Sequence, residues 1–182
     1  MKKELKDILD KDFVRYGRKR KMIDVFRPRE LNWLVAMRAT AFYGRKSLVG
    51  LYWFFRYCSM EKKTMIQIPS ATKIGKGFYI GHCGRIIVNK EAVIGDNVNI
   101  GTGVVIGNAN RGEKKGAPTI GNEVWIGTNA AIVGKITIGD DVLIAPNAYV
   151  NFDVPSHSIV VGNPGVIHPT ERACEWYVNN MV

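Results

Sequence analysis

The chain has 182 residues, of which 46% are hydrophobic and 23% are charged, which suits one core with a small appended element. Its cysteines, Cys58, Cys83 and Cys174, form no CxxC pair and predict a reduced, cytoplasmic protein rather than a disulfide-bonded secreted one. No stretch is apolar over the roughly 18–20 residues that a spanning helix requires, and the charged start does not have the form of a signal peptide.

The net charge of +10 lies in the N-terminal third of the chain. Residues 1–63 carry 17 Lys and Arg against 7 Asp and Glu, whereas residues 64–182 carry 9 of each kind. A basic segment of this kind suits acidic polymers or lipid headgroups, or is simply a solvated helical face. No nucleic-acid-binding motif accompanies it, so we expect no nucleic-acid partner.

The N-terminal region, residues 1–63, is predicted to be helical. Apolar residues at helical spacing predict a charged amphipathic helix over residues 1–25, and Pro28 marks the start of a second helix. The aromatic-rich segment that follows is expected to break into two helices at Gly44 and Gly50. We expect its aromatic rings to cover the open end of the repeats described next, with contact to a membrane surface as the alternative.

From Ile68 to Val150 an aliphatic residue recurs at every sixth position, usually followed by glycine. Hexapeptide periodicity predicts a parallel β-helix, in which short strands form the faces of a prism and one aliphatic side chain per strand points inward. The three runs in register are Ile68, Ile74, Ile80 and Ile86; Val88, Ile94, Ile100 and Ile106; and Ile120, Ile126, Ile132, Ile138, Ile144 and Val150.

The register slips twice, by two residues between Ile86 and Val88 and again between Ile106 and Ile120. The second slip contains the polar, Gly-rich segment 108–118, which is expected to loop out of the prism. After Val150 the pattern fades into a turn, a last strand and a short closing helix. The sequence thus predicts a helical N-terminal region (1–63), a β-helix domain (64–168) and a C-terminal helix or tail (169–182).

Three histidines are present, and the regular repeats contain one of them, His82. A zinc site on neighbouring coils would need three, so we expect no metal. His82 directly follows Gly81 at a predicted coil corner, where an exposed imidazole can serve as a general base.

With these coils around it, the segment from Ile68 through His82 to Val88 resembles the serine acetyltransferase branch of the left-handed β-helix acyltransferases. The likeness continues through the 108–118 loop and Val124-Trp125-Ile126-Gly127, and it ends at Gly162-Asn163-Pro164. It covers about residues 66–165. The resemblance implies a homotrimer with acetyl-CoA in the groove between prisms, and His82 as the base that deprotonates an acceptor hydroxyl.

The resemblance also implies backbone contacts to acetyl-CoA at six positions: Gly107, Asn108, Gly127, Thr128, Ala145 and Pro146. The lysine that the family places near the nucleotide phosphates falls on Leu143. Lys114, Lys115 or Arg111 would replace it, unless these are solvated loop charges.

Departures from the family's pattern concern the acceptor. The two aspartates that accompany the histidine fall on Gln67 and Gly81, and the Arg-His pair that grips the serine carboxylate falls on Gly116 and Ala117. Without a cation there, a carboxylate has no bidentate partner. Gln67 is the candidate for orienting His82.

The sequence therefore predicts an acetyl-CoA-dependent O-acetyltransferase that modifies a sugar of a surface polysaccharide or its precursor. It would act in the cytoplasm, with peripheral contact to the inner membrane face through the basic region. The alternatives are a serine acetyltransferase with an altered pocket and a non-catalytic β-helix scaffold.

Overall fold

The computed structural model describes residues 2–18 and 28–182. Helices α1 (Lys3–Arg15), α2 (Arg29–Tyr43) and α3 (Leu48–Thr64) come first. The strands that follow are β1 (Ile66–Gln67), β2 (Lys73–Ile74), β3 (Tyr79–Ile80), β4 (Ile86–Val88), β5 (Val93–Ile94), β6 (Asn99–Ile100), β7 (Val105–Gly107), β8 (Thr119–Ile120), β9 (Trp125–Ile126), β10 (Ala131–Val133), β11 (Thr137–Ile138), β12 (Val142–Ile144), β13 (Tyr149–Val150), β14 (Ser158–Val161) and β15 (Val166–Pro169).

The strands form a left-handed parallel β-helix of about five turns, which confirms the predicted fold class. Sheet A contains β1, β4, β7, β10 and β13; sheet B contains β2, β5, β8 and β11; and sheet C contains β3, β6, β9, β12 and β14. Neighbouring strands in each of these sheets are parallel, and β15 adds to sheet C as an antiparallel partner of β14.

Corners between sheets stack into edges of the prism. The C–A edge is made of residues 81–85, 101–104, 127–130 and 145–148, where the chain passes from sheet C to sheet A. The A–B edge, where the chain leaves sheet A for sheet B, includes residues 89–92, 108–118 and 134–136.

The core confirms the hexad pattern, because the predicted inward residues are buried except Ile74, which is half-buried. The first register slip arises because β4 has three residues: Ile86 and Val88 both point inward, and Ile87 between them points outward. The second slip forms a small hairpin outside the prism, as predicted, in which the backbones of Ala109 and Gly116 exchange two hydrogen bonds of 3.0 Å.

Helices α1 and α2 cover the first turn of the β-helix. Arg38 of α2 is buried, forms two hydrogen bonds to the Asp12 carboxylate (2.9 and 3.1 Å), and donates to the carbonyl oxygens of Ile74 (2.7 Å) and Gly75. Asp12 also accepts the N–H of Phe78 at 3.0 Å. These bonds satisfy backbone groups of the first coil, so polar residues of α1 and α2 cap this end of the β-helix. Of the aromatic residues predicted to cover it, Trp33 and Tyr57 are buried, whereas Tyr52 and Phe55 are exposed.

One of the two glycines predicted to break the aromatic-rich segment ends a helix, and the other does not. Gly44, with φ of +64°, ends α2, and its N–H donates to the Thr40 carbonyl. The predicted break at Gly50 is wrong: Gly50 lies in the first turn of α3, where its N–H is capped by the Ser47 hydroxyl at 3.1 Å. α1 ends at Arg15 and residues 16–18 are not helical, so the helix predicted over residues 1–25 is too long; its residues 19–25 lie outside the described residues.

The predicted C-terminal helix is wrong, because residues 170–182 form a series of turns. Trp176 and Asn180 have φ values of +70° and +54°, which no right-handed helix contains. This C-terminal tail instead bonds to the β-helix: the N–H of Cys174 donates to Asp141 (2.8 Å), and the Asn97 amide donates to the Val182 carbonyl (3.0 Å).

The tail runs down the outside of sheet C. Its apolar residues Ala173, Cys174 and Val178 pack in a cluster with Leu143 and Ile159 of the sheet. Of the two tail residues that suggested a helix, Tyr177 packs on Trp125 with ring centres 4.9 Å apart, and Trp176 is exposed.

None of the three helices in the described part of the chain has the length and apolar character of a membrane-spanning helix.

Candidate functional site

His82 lies on the C–A edge, in the first turn of the β-helix, and it is exposed. The corner that carries it is held by a hydrogen bond of 2.9 Å from the N–H of Gly84 to the carbonyl of Thr64, at the end of α3. Within the described part of the chain, no group hydrogen-bonds to the imidazole. The imidazole thus stands on a fixed backbone with both ring nitrogens available to a substrate.

Four of the six predicted acetyl-CoA contacts share this edge with His82. Gly127 and Thr128 lie in its third corner, and Ala145 and Pro146 lie in its fourth. The corners pack closely, because an ideal Cβ on Gly127 would lie only 2.6 Å from the Pro146 nitrogen. Neighbouring strands of a sheet are about 4.8 Å apart, so the third and fourth corners lie about 10 and 14 Å from the first corner, which carries His82.

Of the other two predicted contacts, Gly107 ends β7 and Asn108 begins the adjoining corner of the A–B edge. Oδ1 of Asn108 accepts a hydrogen bond from Nδ2 of Asn89 at 3.0 Å, and Nδ2 of Asn108 donates to Oδ1 of Asn110 at 2.7 Å. Sheet A separates this edge from the C–A edge by about six residues, or about 20 Å of extended chain. One chain therefore does not bring the two sets of residues together.

The candidate phosphate-binding cations lie in the hairpin on the A–B edge. Arg111, Lys114 and Lys115 are exposed, and the Lys114 ammonium bonds to the carbonyl of Asn151. Leu143, at the family's lysine position, is 7% exposed beneath the tail. A phosphate contact at Leu143 is thus sterically closed, whereas Arg111 and Lys115 present their charges to solvent.

The residues expected to define the acceptor pocket are dispersed. Gln67 is exposed on the outer face of sheet A, in register with Ile87 of the next turn. Gly116 belongs to the hairpin, and Ala117 packs against the core from the A–B edge. None of these three residues hydrogen-bonds to His82 in the described part of the chain, so the orientation of the imidazole by Gln67 stays a prediction.

A carboxylate that the sequence alone did not reveal lies beside Cys83, the residue that follows His82. The Cys83 thiol donates to Oε2 of Glu30, at the start of α2, over 3.4 Å. Burial, and then the neighbouring Glu30 carboxylate, raises the pKa of Cys83 to about 11, so the thiol stays protonated at neutral pH. Glu30 also lines a cavity of about 510 Å³ together with Tyr16, Tyr79 and other residues. Glu30 and Cys83 are 53 positions apart in the sequence, so no local signal indicates this contact.

A second missed cluster lies at the opposite edge of sheet C. Nδ1 of His157 is 2.9 Å from Asp141 Oδ2, and the same carboxylate accepts the N–H groups of Ala173 and Cys174. Burial opposes ionisation of Asp141, but these hydrogen bonds outweigh it and hold its pKa below the usual value. The 16-residue separation of Asp141 and His157, close to one turn, was the available signal. No three His, Cys, Asp or Glu side chains within residues 2–18 and 28–182 group as metal ligands.

Sheet A presents a bare apolar outer face. Ile87, Val105, Ala131 and Tyr149 are paired in register along it, and they are half-buried or exposed. Sheet C is covered by the tail, and the outer residues of sheet B are largely polar, as at Thr119. The bare face lies between the C–A edge, with His82, and the A–B edge, with the hairpin.

Comparison with known proteins agrees with this architecture. The family model for bacterial transferase hexapeptide repeats (six repeats) matches residues 117–151. A serine acetyltransferase of Bacillus pumilus is 36% identical over 129 residues, which cover 70% of this chain and 58% of the relative. A serine acetyltransferase of Helicobacter pylori is 40% identical over 100 residues, covering 55% of this chain and 58% of the relative. The chain thus spans less than two thirds of these relatives.

Solved structures show the same likeness over a larger part of the chain. Soybean serine acetyltransferase superposes with a TM-score of 0.74 and 27% identity, covering 90% of this chain and 69% of that one. The enzyme from Neisseria gonorrhoeae in complex with serine gives a TM-score of 0.73 and 28% identity, covering 91% and 69%. These relatives are serine acetyltransferases and not sugar acetyltransferases.

Proposed function

We propose that the chain is an acetyl-CoA-dependent O-acetyltransferase in which His82 is the general base. The observation that carries the proposal is an exposed imidazole, without a hydrogen-bond partner among residues 2–18 and 28–182, on the same edge as Gly127, Thr128, Ala145 and Pro146. A rigid corner holds the base in place without help from a mobile loop, which is how positioning lowers a reaction barrier.

A ring nitrogen of His82 would accept the proton of the acceptor's hydroxyl as the hydroxyl oxygen attacks the thioester carbon of acetyl-CoA. The imidazole would then return that proton to the CoA sulfur as the carbon–sulfur bond breaks. Bound acetyl-CoA would supply the acetyl group as an activated thioester. The stacked corners offer it a shallow track of exposed Thr128 and Pro146 side chains, with backbone groups of Ala145 between them.

The same proposal requires more than one copy of the chain. Three prisms that turn their sheet A faces towards a common axis would bury the apolar row containing Ile87, Val105 and Tyr149. Each C–A edge would then adjoin the A–B edge of the next copy. His82 of one chain would thus face the hairpin with Gly107 and Asn108 of another, which supports a homotrimer with acetyl-CoA between subunits.

The acceptor that the similar proteins support is serine, rather than the sugar expected from the sequence. Glu30 supplies a carboxylate next to Cys83, which suits the ammonium group of an amino acid and compensates for Gln67 and Gly81. A sugar is the second candidate, because Gly116 and Ala117 provide no cation for a carboxylate.

The test follows CoA release from acetyl-CoA with serine and with a panel of sugars. Loss of a general base is expected to slow transfer by about 100-fold or more in His82→Ala, while His168→Ala, which changes an exposed histidine of β15, serves as the matched control. Equal rates for His82→Ala and the unchanged protein would refute the assigned base. Glu30→Gln is expected to weaken serine but not sugar turnover.

A non-catalytic scaffold makes a different prediction. Such a protein would show no heat of acetyl-CoA binding in calorimetry, whereas the proposed enzyme binds acetyl-CoA with or without His82. Sedimentation of the same sample checks the trimer.

A further inference from the structure

The outward side of α3 carries an apolar stripe that no part of the described chain covers. Leu48, Tyr52 and Phe55 are 86%, 58% and 67% exposed, and Val49 and Leu51 beside them are exposed as well. Their spacing places them on one face over the first two turns of the helix. Five large apolar side chains side by side form a patch, which soluble surfaces seldom leave without a partner.

Cations stand at both ends of this α3 stripe. Arg45 and Lys46 precede the helix, and the Arg45 guanidinium lies 4.0 Å from the centre of the Phe54 ring. Arg56, Lys62 and Lys63 follow on the same exposed side, and they form no ion pair with described residues. The stripe therefore combines apolar and aromatic side chains with positive charge.

The stripe is not needed to hold α3 in place. The opposite face of the helix carries the buried residues Tyr57, Met60 and Thr64, and the Tyr57 hydroxyl donates to the Ile68 carbonyl of the β-helix at 2.8 Å. Ser47 caps the first turn at 3.1 Å. Since packing and capping come from other residues, the apolar character of Leu48, Tyr52 and Phe55 is not explained by any contact with the described residues.

Charge decides which partner fits. A second copy that used the same stripe would place Arg45, Arg56 and Lys62 of both chains against each other, and like charges across an interface weaken it. With an anionic lipid surface the electrostatic interaction is attractive instead, because the lipid phosphates attract these cations. The headgroup region also accepts aromatic and apolar side chains.

We propose that the α3 stripe docks the protein on an anionic lipid surface, with Leu48, Tyr52 and Phe55 inserted between headgroups and the flanking cations on lipid phosphates. The docking is peripheral, since α3 has only 17 residues and its second half is charged at Arg56, Glu61, Lys62 and Lys63. It concerns the end of the β-helix capped by the helices, and it does not depend on the chemistry at His82.

The test is sedimentation of the full chain with vesicles of phosphatidylcholine alone and of phosphatidylcholine with about one third phosphatidylserine. We expect binding to the anionic vesicles only, and weaker binding at higher salt. Each cation near such a surface strengthens binding about fivefold, so the variant Arg56→Gln, Lys62→Gln, Lys63→Gln should bind about 100-fold more weakly. A matched variant with Lys73→Gln, Lys90→Gln and Lys135→Gln removes the same charge from exposed positions of the β-helix and should bind normally.

A second variant, Leu48→Ser, Tyr52→Ser, Phe55→Ser, should lose vesicle binding and keep the thermal unfolding profile of the unchanged protein, because these side chains are exposed. The proposal is overturned if the unchanged protein does not bind anionic vesicles, or if the matched β-helix variant loses as much binding as the α3 variant. It is also overturned if the serine variant alters the oligomeric state, since the stripe would then be a contact between copies. All measurements omit acetyl-CoA, so their failure leaves the proposed function standing.

Discussion

Replacing Arg38 by Met removes the cation that joins the helices to the first turn of the β-helix. Its guanidinium bonds to both oxygens of Asp12 and to the carbonyls of Ile74 and Gly75. Asp12 has no exposed surface, and burial raises its pKa in spite of the neighbouring Arg38. The variant would leave this carboxylate with the N–H of Phe78 as a remaining donor.

Removing one partner of a buried ion pair costs about 3–5 kcal/mol, because the other charge is left without compensation. For a chain of this size, each kcal/mol corresponds to roughly 2–4 °C, so Arg38→Met should lower the Tm by about 6–20 °C. Urea unfolding at fixed protein concentration measures the same loss independently.

The control is Arg56→Met, which removes an exposed arginine of α3 and should change stability by no more than about 0.5 kcal/mol. Adding Asp12→Leu to Arg38→Met should recover part of the loss, since the buried charge disappears with its partner. A loss below about 1 kcal/mol in Arg38→Met would refute the view that this ion pair secures the cap.

Two further substitutions test the packing of the β-helix. Gly127→Ala should cost about 1–3 kcal/mol in urea unfolding, because its Cβ would lie 2.6 Å from the Pro146 nitrogen, whereas Gly107→Ala meets no atom closer than 3.8 Å and should fold normally. Asp141→Asn should destabilise the chain by about 1–3 kcal/mol, with Glu171→Gln in the same cavity as an inert control; equal Tm values would contradict this. Since the pKa of Asp141 is lowered on folding, its stabilisation is present above the unfolded value of 3.8 and is lost as the pH falls below it, which thermal unfolding between pH 5 and 3 should show.

The repeats were predictable because each aliphatic side chain of the hexads is fixed by local geometry. Ile80, Ile100 and Ile126 are buried one above another in sheet C, and a period of six forces that arrangement on any chain that adopts this fold. The corner position of His82 follows from the same register, since it comes two residues after Ile80.

What could not be predicted depends on contacts between distant segments. Nothing near Cys83 indicates that Glu30 lies beside it, and nothing near Arg38 indicates that its partner is Asp12, 26 residues earlier. The tail was misjudged for a related reason: Cys174 satisfies its N–H with Asp141 of the β-helix rather than with its own segment. The helix propensity of a segment does not decide its structure where side chains of another segment bind its backbone N–H groups.

The path of the tail is expected to make unfolding of the β-helix more cooperative. Solenoids are usually held by nearest-neighbour contacts, so their ends fray one coil at a time. Here the tail bonds to Asp141 in one turn and to Asn97 two turns away, and the guanidinium of Arg15 joins the tail at Asn179 to Gly77 of the first turn. Such long-range ties couple the coils, so we expect one cooperative melting transition in place of gradual fraying.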